Sequence, residues 1–196
     1  AEFLLKAGAD PNATTYVPPD RCEFQINTQS LTPLHYAARY SSARLIQLLL
    51  EQGAVTFIQS KGDNGAEYPL GRLQRYAGTG VKDERNPHIA ESEVAALVQL
   101  LAPPSETSRV ALAGELVTRA RSEYAGGNAE KAYQHLRLAL VAQPNLPDAI
   151  ADLPLVALRA GYVGPAISAA DRAVKTLGSP AALAASWFNK GLICEH

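Results

Sequence analysis

One stretch of the chain, residues 32–38, combines the signals of a short helix that packs closely against its neighbours. It reads Thr-Pro-Leu-His-Tyr-Ala-Ala. Thr32 is a favourable helix cap, and Pro33 suits the first helical position, where no amide donor is needed. The small side chains of Ala37 and Ala38 allow a second helix to approach closely. The sequence therefore predicts a helix made for stacking against other helices.

A second helix and a glycine turn follow this stretch. Residues 48–54 read Leu-Leu-Leu-Glu-Gln-Gly-Ala. Gly53 falls where a helix must end in a left-handed residue, a conformation that glycine adopts without a β-carbon penalty. Together the two stretches resemble an ankyrin repeat, a unit of about 33 residues that stacks into a solenoid. The resemblance implies a protein that holds other macromolecules, and it makes His35 a structural histidine that hydrogen-bonds between repeats.

Residues 1–12 resemble the closing helix and turn of a preceding ankyrin repeat, whose first helix is missing. Gly8 and Gly53 mark equivalent points 45 residues apart. The usual period is about 33 residues, so we place the additional residues in a loop insertion near 13–26, where consecutive prolines cannot continue a helix.

A third, degraded repeat begins at Tyr68 and ends near residue 101 with a helical apolar pattern. Tyr68 and Gly71 replace the threonine and histidine of the motif. A second insertion is predicted near 78–90, because its glycines, charged residues and proline are typical of solvent-exposed turns.

A different repeat follows the break at residues 102–105, Ala-Pro-Pro-Ser. Gly127, Ala132 and Ala139 are matched by a glycine and two alanines at 161, 166 and 173, each displaced by 34 positions. Thirty-four residues is the period of the tetratricopeptide (TPR) repeat, which the chain resembles from residue 108 to its end. Pro154 stands inside an expected helix and removes one of its hydrogen bonds, so we expect a kink or a late helix start there.

The predicted fold class is all-α, with two tandem short helical solenoids, ankyrin-like and then TPR-like. The expected domains are an ankyrin-repeat region over 1–102, a linker over 103–107, and a TPR-like region over 108–196 whose last repeat is incomplete. The chain contains no methionine and begins inside a motif. We therefore expect it to be a fragment of a longer protein.

Composition argues against several classes of function. Eighteen basic and nineteen acidic residues give a net charge of -1 without a basic stripe, so nucleic-acid binding is not expected. No apolar run approaches the roughly 18 residues of a membrane span, so we expect no membrane insertion. The two cysteines, Cys22 and Cys194, support neither a disulfide framework nor a metal site. A reducing compartment such as the cytoplasm is the default for such a chain.

The sequence also lacks a pattern typical of catalysis. None of the four histidines forms the spaced pair of a metal site, and no glycine-rich loop spells a phosphate-binding motif. A thiol–imidazole pair of Cys22 and His35 is an alternative to an ordinary thiol, but nothing in the spacing fixes its geometry. We predict no enzyme activity, no cofactor, no metal and no small-molecule substrate.

A repeated dipeptide marks the candidate binding surface of the ankyrin-like region. Arg39-Tyr40 recurs 36 residues later as Arg75-Tyr76, at the same offset in each repeat. The resemblance places both at the end of an inner helix that faces the concave groove. The hairpin tips that precede these helices would add further contacts, from Gln29, Leu31 and Glu67. Arg and Tyr often dominate interface energetics, but the same pairs can instead stack on each other and seal the contact between repeats.

In the TPR-like region the resemblance places a groove on the inner helices. Its expected binding residues are Arg121, Tyr124, Leu155 and Leu158, with Val117 and Ala151 beside them. These positions are mostly apolar, and they lack the lysines and asparagines with which some such domains clamp a terminal carboxylate. An apolar peptide or an amphipathic helix is therefore the expected ligand.

The sequence as a whole resembles bacterial ankyrin-repeat proteins and predicts a scaffold or adaptor for partner proteins or peptides. The alternative is a targeting or regulatory arm of a larger enzyme or toxin whose catalytic domain lies outside this segment. The full reading frame separates the two.

Overall fold

The chain is described by a computed structural model over residues 1–15, 28–40, 43–62, 65–77, 89, 91–177 and 191. It divides into two compact units, Ala1–Pro104 and Ser105–His196. The regular secondary structure of the described part is helical apart from one pair of two-residue strands and one isolated bridge, which agrees with the all-α prediction. Its elements are α1 (Glu2–Lys6), β1 (Thr28–Gln29), α2 (Pro33–Tyr40), α3 (Ala43–Glu51), β2 (Lys61–Gly62), α4 (Pro69–Ala77), α5 (Glu91–Leu101), α6 (Glu106–Ala125), α7 (Ala129–Ala142), α8 (Pro147–Arg159) and α9 (Val163–Thr176).

The core of the first unit lies between helices that stack in pairs. Helix α2 packs against both α3 and α4, and α4 packs against α5. Ala37 and Ala38 are buried at this contact, as predicted from their small size. The buried cluster consists of Leu34, Ala37, Ala38, Ala43, Ile46, Leu49, Ala54, Leu73, Leu97 and Leu101.

Two helices of the first unit end in the same way. Gly8 and Gly53 have positive φ angles of 93° and 89°. The amide of Gly8 donates to the carbonyl of Leu5, and the amide of Gly53 donates to that of Leu50, both at 3.0 Å. These are the bonds of a left-handed helix cap, so the predicted role of both glycines is confirmed.

Hydrogen bonds close the base of the first predicted insertion. The amide of Thr15 donates to the carbonyl of Leu31 at 2.9 Å, and the amide of Ser30 donates back to Thr15 at 3.0 Å. Strand β1 then pairs antiparallel with β2. Residues 16–26 of this insertion, and all of the second insertion near 78–90 except residue 89, lie outside the described residues.

The second unit is a series of helices in which each packs against the next, from α6 to α9. The Ser105 hydroxyl accepts the amide of Ser108 and caps α6, as its position after two prolines indicated. Helix α6 begins at Glu106, so it includes the last two residues of the predicted linker.

The 34-residue period of the sequence is also a period of the structure. Gly127 and Gly161 both have positive φ angles, of 85° and 86°. Their amides donate to carbonyls at equivalent positions, Tyr124 and Leu158, at 3.0 Å each. The repeated alanines that follow are fully buried in both copies: Ala132 and Ala166, and Ala139 and Ala173.

Helix α8 differs from one expectation at Pro154. The helix begins at Pro147 and runs through the buried Pro154 to Arg159, so the late helix start is wrong. Pro147 occupies the first turn, where proline is favourable. Packing against both α7 and α9 holds α8 together despite the hydrogen bond that Pro154 cannot make.

Candidate protein-binding surfaces

His35 links the start of α2 to the segment just before α4. Its Nδ1 accepts the backbone N–H of Thr32 at 3.1 Å and faces the Thr32 hydroxyl at 2.8 Å. Because Nδ1 accepts, the ring proton lies on Nε2, which donates to the carbonyl of Glu67 at 3.0 Å. That carbonyl also accepts the amide of Ser60 at 2.9 Å. The predicted structural role of His35 is therefore confirmed.

The environment of His35 keeps its imidazole neutral. The side chain is completely buried. Burial, together with the charge of Arg72, lowers the pKa of His35 to about 4, against the opposing effect of its hydrogen bond to the Glu67 carbonyl. Both ring nitrogens already have partners, which leaves no lone pair for activating a nucleophile. Cys22, its hypothetical thiol partner, lies outside the described residues.

Asn12 makes a second polar link between distant segments of the first unit. Its Nδ2 donates to the carbonyl of Gly53 at 2.9 Å, and its Oδ1 accepts the amide of Val55 at 2.8 Å. The side chain is 6% exposed, so water does not replace these bonds readily. Asn12 thus ties the turn after α1 to the turn after α3.

Arg39 and Tyr76, two of the predicted binding residues, lie against each other. The guanidinium carbon of Arg39 lies 4.4 Å from the centre of the Tyr76 ring, a cation–π distance. Arg39 is exposed and Tyr76 is half-buried. Because Arg39 belongs to α2 and Tyr76 to α4, the contact joins two helices and reaches the protein surface.

Arg75 and Glu67 belong to a neighbouring ionic cluster. Arg75 Nη2 lies 3.1 Å from Glu67 Oε1, and Arg72 Nε lies 3.4 Å from Glu67 Oε2. Arg72 is buried, whereas the Arg75 side chain is 44% exposed. The Glu67 side chain packs over Gly71, where an added β-carbon would lie 3.0 Å from its Cγ. Glu67 therefore occupies the space beside Gly71.

One predicted contact residue is wrong and two are not described. Leu31 is 3% exposed and packs in the core, because it lies at the root of the hairpin instead of its tip. Gln29 pairs through its backbone with Lys61, and its side chain lies outside the described part, as does that of Tyr40.

In the second unit, helices α6, α7 and α8 enclose an open cavity of about 290 Å³. Three predicted groove residues, Arg121, Tyr124 and Leu155, line it, and Ala151 lies beside them. The remaining wall is formed by Ala120, Leu136, Asp152 and Val156. Most of this surface is apolar, as the sequence indicated.

Leu158 and Val117 lie away from this wall. Leu158 packs against the buried cluster of Ala157, Ala166 and Ala170. Val117 is 4% exposed and belongs to the core between α6 and α7. Leu158 is half-buried at the contact with α9 and does not line the cavity, and its binding role stays a prediction.

An ionic group that the sequence analysis missed lies at the edge of the cavity. Arg121 Nε donates to Asp152 Oδ2 at 2.7 Å, and Arg121 Nη2 donates to Asp148 Oδ1 at 3.3 Å. The hydrogen bond to Asp152 raises the pKa of Arg121 above its ordinary value. The spacing of four residues between the aspartates, which places both on one face of a helix, was the available signal.

Two other kinds of site are absent from the described residues. There, no three His, Cys, Asp or Glu side chains come together as metal ligands. Within the same part of the chain, no helix combines the length and apolar character that crossing a membrane requires.

Comparison with known families adds one finding to this geometry. Residues 30–61 match the ankyrin-repeat family model. The match contains α2, α3, His35 and the glycine turn at Gly53, which are the features described above. Ankyrin repeats are typically non-catalytic modules that bind other proteins. Comparisons with curated proteins and with solved structures gave no match.

Proposed function

We propose that the chain is a protein-interaction scaffold or adaptor that binds partner proteins or peptides on the concave surfaces of its repeats. The ankyrin match at residues 30–61 supports this function. The observation that carries it is the contact of Arg39 with Tyr76, because it presents two residue types common among interface anchors at one exposed place.

The proposed architecture is an ankyrin-like region over 1–102 followed by a TPR-like region over 108–196. In the first region, the bonds of His35 and Asn12 across repeats support it. In the second, the support is the recurrence of the same turn and the same buried alanines after 34 residues, the TPR period.

Arg39, Tyr40, Arg75 and Tyr76 are the proposed binding patch of the first unit. The stacking of Arg39 on Tyr76 limits the conformations of both side chains before a partner arrives, which lowers the entropic cost of binding. The same contact is what the sealing interpretation expects. If the pair binds a partner, its removal lowers the affinity for that partner. If the pair seals the contact between repeats, its removal lowers their stability.

The test is capture of partners by the whole chain, followed by reconstitution. A cell lysate is passed over the wild-type chain and over a chain with Arg39→Ala and Tyr76→Ala. Proteins that only the wild-type chain retains are identified and purified. Arg44→Ala is the matched control, since Arg44 is an exposed arginine on α3 outside the patch. We expect at least one purified candidate to bind the wild type and Arg44→Ala equally. The proposal fails if no purified candidate binds the chain saturably.

A further inference from the structure

The cavity between α6, α7 and α8 has the size of a side-chain site. Its volume is about 290 Å³, near the lower limit of about 300 Å³ for small-molecule pockets. A cavity of about 150 Å³ accommodates one benzene molecule. The cavity in this chain is therefore large enough for two apolar side chains, and a partner helix delivers two such side chains to one face when they are one turn apart.

The edge of the cavity carries an excess of negative charge. One arginine, Arg121, is shared by two carboxylates, Asp148 and Asp152. Asp152 holds the shorter contact, at 2.7 Å, and its side chain is 28% exposed. Asp148 makes the longer contact, at 3.3 Å, and its side chain is 66% exposed. Asp148 is thus the carboxylate that an incoming cation can reach without breaking the bond between Arg121 and Asp152.

We propose that this cavity binds two apolar side chains, one helical turn apart, from a cationic amphipathic helix of a partner protein. A lysine or arginine beside the apolar pair contacts Asp148. This inference rests on the proposed function and adds the chemistry of the partner. It concerns the second unit alone, so it is independent of Arg39 and Tyr76.

The probe is a synthetic helical peptide of about 18 residues, long enough to form a helix in water. It carries two leucines one turn apart, with lysines on the flanks. Two matched peptides replace the leucines by alanine or the lysines by glutamate. Fluorescence anisotropy with the full chain measures their affinities at low and high salt. We expect saturable binding of the leucine–lysine peptide and none of the alanine peptide.

Variants of the protein test both parts of the site. Ala151→Phe fills the cavity from its half-buried wall and is expected to abolish peptide binding, whereas Ala111→Phe, at an exposed position of the same unit on α6, is its control. Asp148→Asn is expected to weaken binding of the lysine peptide about fivefold at low salt, a typical upper value for an exposed ion pair. High salt should remove that difference.

Two results would overturn the inference. One is equal affinity for the lysine and glutamate peptides at low salt, and the other is unchanged affinity in a folded Ala151→Phe chain. If Ala151→Phe does not fold, the comparison of peptides on the wild type and on Asp148→Asn decides the question. A partner whose capture depends on Arg39 and Tyr76 would still support the proposed function if either of these results were found. The two proposals can therefore fail separately.

Discussion

The guanidinium of Arg39 lies 4.4 Å from the ring centre of Tyr76, although 37 residues of sequence separate them. The contact links α2 to α4 at the surface of the first unit. A cation–π contact at an exposed site contributes about 0.5–1 kcal/mol. That value is small compared with the effect of removing an interface anchor, about 2 kcal/mol or more, so stability and affinity measurements can separate the two roles of the pair.

The buried His35 predicts a loss of stability in acid. Its folded-state pKa, about 4, lies below the ordinary value of 6.5. Between these values the unfolded chain binds a proton that the folded chain does not, so stability falls as the pH falls through this window. The full effect is on the order of 3 kcal/mol.

The measurement is urea unfolding of the wild type and His35→Gln between about pH 7 and pH 4. Glutamine does not titrate, and other ionisable groups contribute equally to both proteins. The destabilisation caused by the substitution should therefore shrink as the pH falls. A difference that stays constant over this range would show that His35 is not kept neutral by burial.

Replacement of Asn12 by alanine should destabilise the first unit by about 2 kcal/mol, because it leaves the carbonyl of Gly53 and the amide of Val55 without their partner. Asn145→Ala is the control, since Asn145 is exposed in the turn before α8, and it should change stability by less than about 0.5 kcal/mol. Hydrogen exchange of amides in each unit measures both effects. Equal effects of the two substitutions would contradict the role given to Asn12.

Two helical glycines should respond differently to replacement by alanine. Gly114 in α6 has nothing within 4 Å of an added β-carbon, so Gly114→Ala should stabilise α6 by about 1 kcal/mol. At Gly71 the new β-carbon would lie 3.0 Å from Glu67 Cγ. The added β-carbon displaces Glu67 and so disturbs its ion pairs with Arg72 and Arg75. The loss of these ion pairs should offset the gain in helix propensity.

Hydrogen exchange within α4 and α6 distinguishes these two substitutions, because each helix reports its own unit. A stabilisation of α4 by Gly71→Ala as large as that of α6 by Gly114→Ala would show that Glu67 has no fixed position over Gly71.

The sequence correctly predicted features that depend on residues close together in the chain. The left-handed cap at Gly53 and the helix cap at Ser105 follow from local backbone chemistry. The contact of Arg121 with Asp152 joins residues 31 positions apart, and no local pattern fixes such a partner. Leu31 was misplaced for a related reason, since its burial depends on the packing of the whole hairpin against the core.

The most direct test of the proposed function measures affinity and stability on the same variants. A purified partner is titrated against the wild type, Tyr76→Phe and Tyr76→Ala, and the unfolding free energy of each is determined. Phenylalanine keeps the ring on which Arg39 stacks, so Tyr76→Phe should retain stability. For Tyr76→Ala, our account predicts a loss of affinity of about 2 kcal/mol or more with a loss of stability of about 1 kcal/mol or less. A large loss of stability with unchanged affinity would contradict it.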